Sequence, residues 1–269
     1  MQNPDHSVTL LRHSIYLNIR AALLGGGIGY GYWYLAHHAS QFWQVVVALV
    51  IVVLLGTTWT SKLSFAKLYR FNYILLPSVL FAGSLLFFLL LKNPTYQLLF
   101  ALLIGLTYWY FFRSFAELRE HPSPERKKSF TQALDVVSSF TIFLNLASVH
   151  ELYFFFSWKP YWLVLGVAGL TVVLLYQSYW YHRIMTARAW LYVFLGSLIM
   201  AQLVWVLTLL PTGYLTNTLV GVAGLYAYQA LSVAQLRGIL HKRFVLEHIA
   251  IAGIICVIGL LSSRWTPLA

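Results

Sequence analysis

The sequence predicts an all-α, polytopic helical membrane protein: about nine transmembrane helices arranged as two parallel four-helix repeats plus one. Three observations predict it. Of 269 residues, 60% are hydrophobic and only 9% charged, and mean hydropathy is +0.73, whereas a soluble domain carries about 25% charged residues. A chain this apolar cannot cover a surface facing water, so lipid must be its solvent. Apolar runs close to the roughly 20 residues that a span requires recur along the whole chain. Finally, the order of parts in residues 70–119 returns 118 positions later: Arg70 falls on Arg188, Tyr96 on Tyr214, Tyr108 on Tyr226, Tyr110 on Tyr228, Ser114 on Ser232 and Arg119 on Arg237.

Nine runs qualify as spans, at 16–36, 42–60, 71–91, 96–115, 130–156, 161–181, 189–210, 214–233 and 244–261. Numbering the gaps alternately places Lys92, Lys159 and Arg264 on one side and the remaining fifteen of the eighteen Lys and Arg residues on the other. By the positive-inside rule, the N-terminus is cytoplasmic and the C-terminus external. Arg12 and Arg20, followed by an apolar stretch, resemble a signal peptide. That run is rich in Trp and Tyr and no A-x-A site follows it, which favours a retained helix.

The first span holds Gly25, Gly26, Gly27, Gly29 and Gly31. They form two overlapping small-xxx-small pairs, Gly25/Gly29 and Gly27/Gly31, of the kind that lets a neighbouring backbone approach in lipid. Gly29-Tyr30-Gly31 imitates the end of a potassium filter. It lacks the pore helix, the threonines and the re-entrant geometry a filter needs, so close packing is the better reading.

Between the fourth and fifth spans, residues 117–129 form the longest and most charged loop, with Pro122 and Pro124 as helix stops and Arg126, Lys127 and Lys128 as a topology anchor. This divides the chain into a first repeat (1–120), a charged cytoplasmic linker (121–129), a second repeat (130–243) and a ninth helix with an external C-terminus (244–269). Four spans per repeat leave both copies in the same orientation, related by a pseudo-twofold along the membrane normal. The match is best for spans three and four against seven and eight, and poor for one against five.

The fifth span carries Asp135, Asn145, His150 and Glu151. Acidic groups in a span are costly, about 2.5–3.5 kcal/mol at the bilayer centre and less near its edges. With the helix centred near Phe143, Asp135 and Glu151 each lie about 12 Å from the midplane at a rise of about 1.5 Å per residue. Asp135 is within reach of Arg113, Arg126 or Lys127 as a structural pair. Glu151 is either an external proton or cation site or an interfacial acid in water. Asn145 and Gln202 are either packing hydrogen bonds between helices or the lining of a polar cavity. Gln202 falls on Ser84 in the first copy. The candidate binding residues are therefore Asn145, His150, Glu151 and Gln202. Arg243 is placed to pair with Glu247 one turn on.

His37, His38 and His150 lie near one membrane edge and His182, His241 and His248 near the other, a layering that a transmembrane di-haem protein would need. Several lie in loops and none has a clear i, i+3 partner, so no haem, other cofactor or metal is expected. No H-E-x-x-H, G-x-S-x-G or Asp-rich metal motif is present, so catalytic residues are not assigned. The net charge of +11 would suit nucleic acid, yet the basic residues cap apolar runs rather than form a soluble basic face, so no nucleic-acid partner is expected. Cys256, the single cysteine, forms no intrachain disulfide and says nothing of redox compartment.

Leu209-Leu210-Pro211-Thr212-Gly213-Tyr214, leading into an apolar helix and then Leu236-Arg237, resembles a group of uncharacterised bacterial multi-pass membrane proteins with no named activity. The resemblance covers about the last third of the chain. It implies an inner-membrane protein and transfers no site residues.

The expected function is a non-catalytic binder or transporter of a small or lipidic solute between the two repeats. The alternatives are a structural or assembly subunit, packing against partner membrane proteins or a second copy, and an intramembrane enzyme.

Overall fold

A computed structural model describes residues 4–61, 71–120, 123–157, 159–210, 212–263 of the chain. Among these residues the chain is helical, with no strand: α1 (Pro4–His37), α2 (Phe42–Ser61), α3 (Phe71–Leu90), α4 (Pro94–Glu120), α5 (Pro124–Phe156), α6 (Pro160–Tyr181), α7 (Ala187–Leu207), α8 (Tyr214–Leu236) and α9 (Lys242–Ser262). One 3-10 turn, Ala39–Gln41, joins α1 to α2. Each expected span has its helix. α2 to α9 are long and apolar enough to cross a membrane. Lys62, Lys67, Arg70, Pro122 and Arg264 lie outside the described residues.

The sequence places the helix starts. Pro4, Pro94, Pro124 and Pro160 each open a helix, where proline's fixed φ suits the first turn and its missing N–H costs nothing. The expected linker is shorter than the charge pattern suggests, because Pro124 begins α5 rather than ending α4. Ser123 Oγ accepts a hydrogen bond from Arg126 N at 3.2 Å, the N-cap arrangement that satisfies a first-turn donor. Arg126, Lys127 and Lys128 therefore sit on the first turns of α5. α7 is capped by Thr186, whose Oγ1 accepts from Ala189 N at 3.3 Å. After α8, Gly238 takes φ +70, the left-handed conformation that closes a helix without strain at glycine.

The chain divides into two compact units, Met1–Val137 and Ser138–Ala269, the division falling inside α5. In the first unit α1 packs most extensively against α4, with α2 beside both and next to α3. In the second, α6 packs on α7, α7 on α8 and α8 on α9. The pairs α2–α3, α3–α4 and α2–α4 of the first unit thus recur as α6–α7, α7–α8 and α6–α8 in the second, while the most extensive pair differs, α1–α4 in one and α6–α7 in the other.

Each unit nevertheless holds a comparable buried polar link. Tyr32 OH lies 2.6 Å from Ser84 Oγ, and Ser84 Oγ donates to Phe81 O at 3.0 Å. Tyr179 OH donates to Ser232 Oγ at 2.7 Å, and Ser232 Oγ donates to Gln229 O at 3.0 Å. In both, a tyrosine hydroxyl reaches a serine on another helix, and the serine bonds the carbonyl three residues before it. A second tyrosine ties the fourth helix of each set to the third: Tyr108 OH donates to Pro77 O, and Tyr228 OH to Tyr192 O. Tyr228 is the residue matched to Tyr110, not to Tyr108, so the two bonds are similar in kind but differ in register.

Candidate functional site

In the first unit, glycine shapes the contact between α1 and α4. On α1, Gly25 and Gly29 face α4. A Cβ at Gly25 would lie 2.5 Å from Gly105 O and 2.7 Å from Trp109 N, and one at Gly29 would lie 3.0 Å from Ala101 O. α1 and α4 therefore meet backbone to backbone, the contact that small residues permit in lipid. The pairing is antiparallel, since Gly25 meets Gly105 and Trp109 while Gly29 meets Ala101 and Gly105. Of the two expected glycine pairs, only Gly25/Gly29 serves this contact. Gly31 instead packs against Leu49 of α2, and Gly26 and Gly27 meet nothing within 4 Å. Gly105, the partner on α4, sits alone in a leucine-rich run and gives no pattern to detect.

Beside the contact the same lack of side chains leaves a groove of about 530 Å3. Its walls are one face of α1, from Ala22 through Gly26 and Gly29 to Trp33, and one face of α4, from Leu98 through Ala101 and Gly105 to Trp109. The lining is almost wholly apolar. Each wall covers eleven residue steps, so the groove is about 16 Å long at about 1.5 Å per residue. A single hydrocarbon chain fits along it. The length is also close to half the hydrocarbon core of about 30 Å, the depth of one leaflet.

One end of the groove is polar. Arg113, one turn beyond Trp109 on α4, places its guanidinium 5.6 Å from the Trp109 ring centroid, and its Nε donates to Glu117 at 2.8 Å. Arg113 thus pairs along its own helix, not with Asp135 as its position allowed. Asn18, one turn before Ala22 on α1, has a carboxamide oxygen shielded from solvent with no hydrogen-bond partner among the described residues. At the other end are rings: Tyr30 lies 5.4 Å from Trp33, and Trp33 lies 4.8 Å from His37.

The four residues singled out in the sequence do not converge. Asn145 is buried, and its Nδ2 donates to Thr141 O of its own helix at 2.8 Å. His150 is 1% exposed. Its Nδ1 lies 2.8 Å from Leu146 O, a contact in which nitrogen must donate, which leaves Nε2 as an acceptor with no partner among the described residues. Glu151 accepts a hydrogen bond from the Tyr214 hydroxyl, tying the end of α5 to the start of α8. Gln202, on α7, is exposed and makes no hydrogen bond among the described residues, whereas its counterpart Ser84 is fully buried against Tyr32. Among the described residues no three His, Cys, Asp or Glu side chains gather as a metal site would require.

No protein-family model matches the chain, and no curated protein or solved structure is significantly similar to it.

Proposed function

We propose that this is a non-catalytic integral membrane protein that binds, and in that way carries or presents, a lipidic solute, with a single hydrocarbon chain lying in the groove between α1 and α4. The supporting observation is that groove itself: almost wholly apolar and about as long as one leaflet is deep. The placement differs from the expected one between repeats, because glycines on two helices of the first unit make the concavity. The proposed setting is a bacterial inner membrane with the N-terminus cytoplasmic, as the one-sided distribution of Lys and Arg indicates. The 118-residue correspondence is proposed as a duplication whose copies have since diverged in packing.

A structural or assembly role has its own supporting observation: Gly26 and Gly27 face outward with open space before them, a surface that a partner helix could approach. The two readings separate on one variant. Gly26→Leu puts a side chain into the groove, and its Cβ meets nothing within 4 Å. Leucine is also the better helix former by about 0.8–1 kcal/mol. Protein purified in mild detergent is extracted with solvent and the lipid measured by mass spectrometry. The native chain is expected to retain a stoichiometric lipid and the variant to lose most of it at unchanged stability. Equal lipid in both would reject the groove as the binding site. Loss of an oligomer with lipid unchanged would establish the assembly role instead.

A further inference from the structure

The ligand's head, not only its tail, is specified by the groove, and this rests on the lipid-binding reading above. We infer that the ligand is a single-tailed lipid phosphate whose phosphate lies at the Arg113 end, with the tail running along Gly26, Gly29 and Gly105 toward Trp33. The observations are independent of the groove's apolar shape. On α4, Trp109 ends the apolar wall and Arg113 follows one turn later on the same face, over the indole ring. The Trp109 indole N–H has no hydrogen-bond partner among the described residues. Arg113 commits its Nε to Glu117, which leaves the two Nη groups and their four N–H donors. Their fork matches phosphate geometry.

The Arg113–Glu117 pair is a half-exposed i, i+4 pair, a class that contributes little. A phosphate can displace that carboxylate at small cost. One turn before the opposite wall, Asn18 has a shielded oxygen that accepts and has no donor among the described residues. A protonated phosphate oxygen or a headgroup hydroxyl supplies one. The far end offers rings, Tyr30, Trp33 and His37. The groove is therefore asymmetric, with the Arg113 guanidinium at one end and aromatic rings at the other, and an anionic head is oriented toward Arg113.

The experiment uses the full chain in mild detergent and native mass spectrometry, with hexadecyl phosphate, hexadecanol and inorganic phosphate as probes. Hexadecyl phosphate should bind about tenfold or more tighter than hexadecanol, the ratio expected for one charge-assisted contact. Arg113→Gln should bring that ratio close to one while hexadecanol binding is kept, and Arg113→Lys should restore part of it. Gly26→Leu should abolish both. Equal binding of the two tailed probes by the native chain, or a preference that survives Arg113→Gln, overturns the headgroup assignment. If Gly26→Leu still removes both probes in that case, the chain-binding reading stands alone. If Gly26→Leu leaves both bound, that reading fails as well. Competition by inorganic phosphate at concentrations as low as those of hexadecyl phosphate would mark a free-anion site and overturn the lipid assignment.

Discussion

Single atoms decide how α1 and α4 meet, and glycine substitutions read this directly. Gly25→Ala would put a Cβ 2.5 Å from a backbone oxygen, a group that cannot rotate away, so the helices must separate. The expected loss is about 1–3 kcal/mol, the usual range for overpacking. Gly27→Ala, two residues on, meets open space and should leave stability equal or up to about 1 kcal/mol higher through helix propensity. Thermal unfolding in detergent compares the two. The opposite ordering would mean that α1 presents a different face to α4. A milder effect is expected for Tyr32→Phe. Ser84 keeps its bond to Phe81 O, so only the Tyr32–Ser84 bond is lost, at about 0.6 kcal/mol by the average for membrane hydrogen bonds. The sequence flagged Gly25 and Gly29 by their spacing. It gave no reason to prefer them over Gly27 and Gly31, because which stripe faces a neighbour depends on the rotation of the helix. The same ignorance of rotation made Gln202 and Ser84 look equivalent, although one is exposed and the other buried.

At the scale of an element, the apolar runs located every helix, since a hydrophobic run of span length has few alternatives. The ends were less legible because polar first turns continue a helix beyond its apolar part. α5 is the clearest case. Its apolar run starts at Phe130, yet the helix starts at Pro124, and Ser123 caps it. Ser123→Ala should fray that first turn at a cost of about 1 kcal/mol, measured as faster amide exchange at Arg126 and Lys127. Unchanged exchange would show that the start of α5 is held by something other than the cap. α4 extends to Glu120 in the same way, and the Arg113–Glu117 pair lies on this polar extension. The expected Arg243–Glu247 pair forms at 2.9 Å, because i, i+4 spacing on a helix needs no tertiary information.

For the whole molecule, the open count is α1. α2 to α9 satisfy the criteria of length and hydropathy for a span. α1 is diluted by glycine, tyrosine and Arg20, and whether it crosses decides whether the two termini lie on the same side. The charge distribution predicts opposite sides. A reporter active only in the cytoplasm should be inactive when fused after Ala269 and active when fused before Met1. Activity at both ends would remove α1 as a span.

What the sequence determined by itself is the class, the number and position of the helices and the expected orientation. These follow from transfer free energy and charge, which are properties of composition along a line. The tertiary structure decided which helices are neighbours, and with that the site. α1 is remote from α4 in sequence, and the groove exists because Gly25 and Gly29 on one meet a lone Gly105 on the other. Polar residues are expensive in lipid and so drew attention in the sequence. A concavity built from missing side chains carries no such signal until two backbones are brought together.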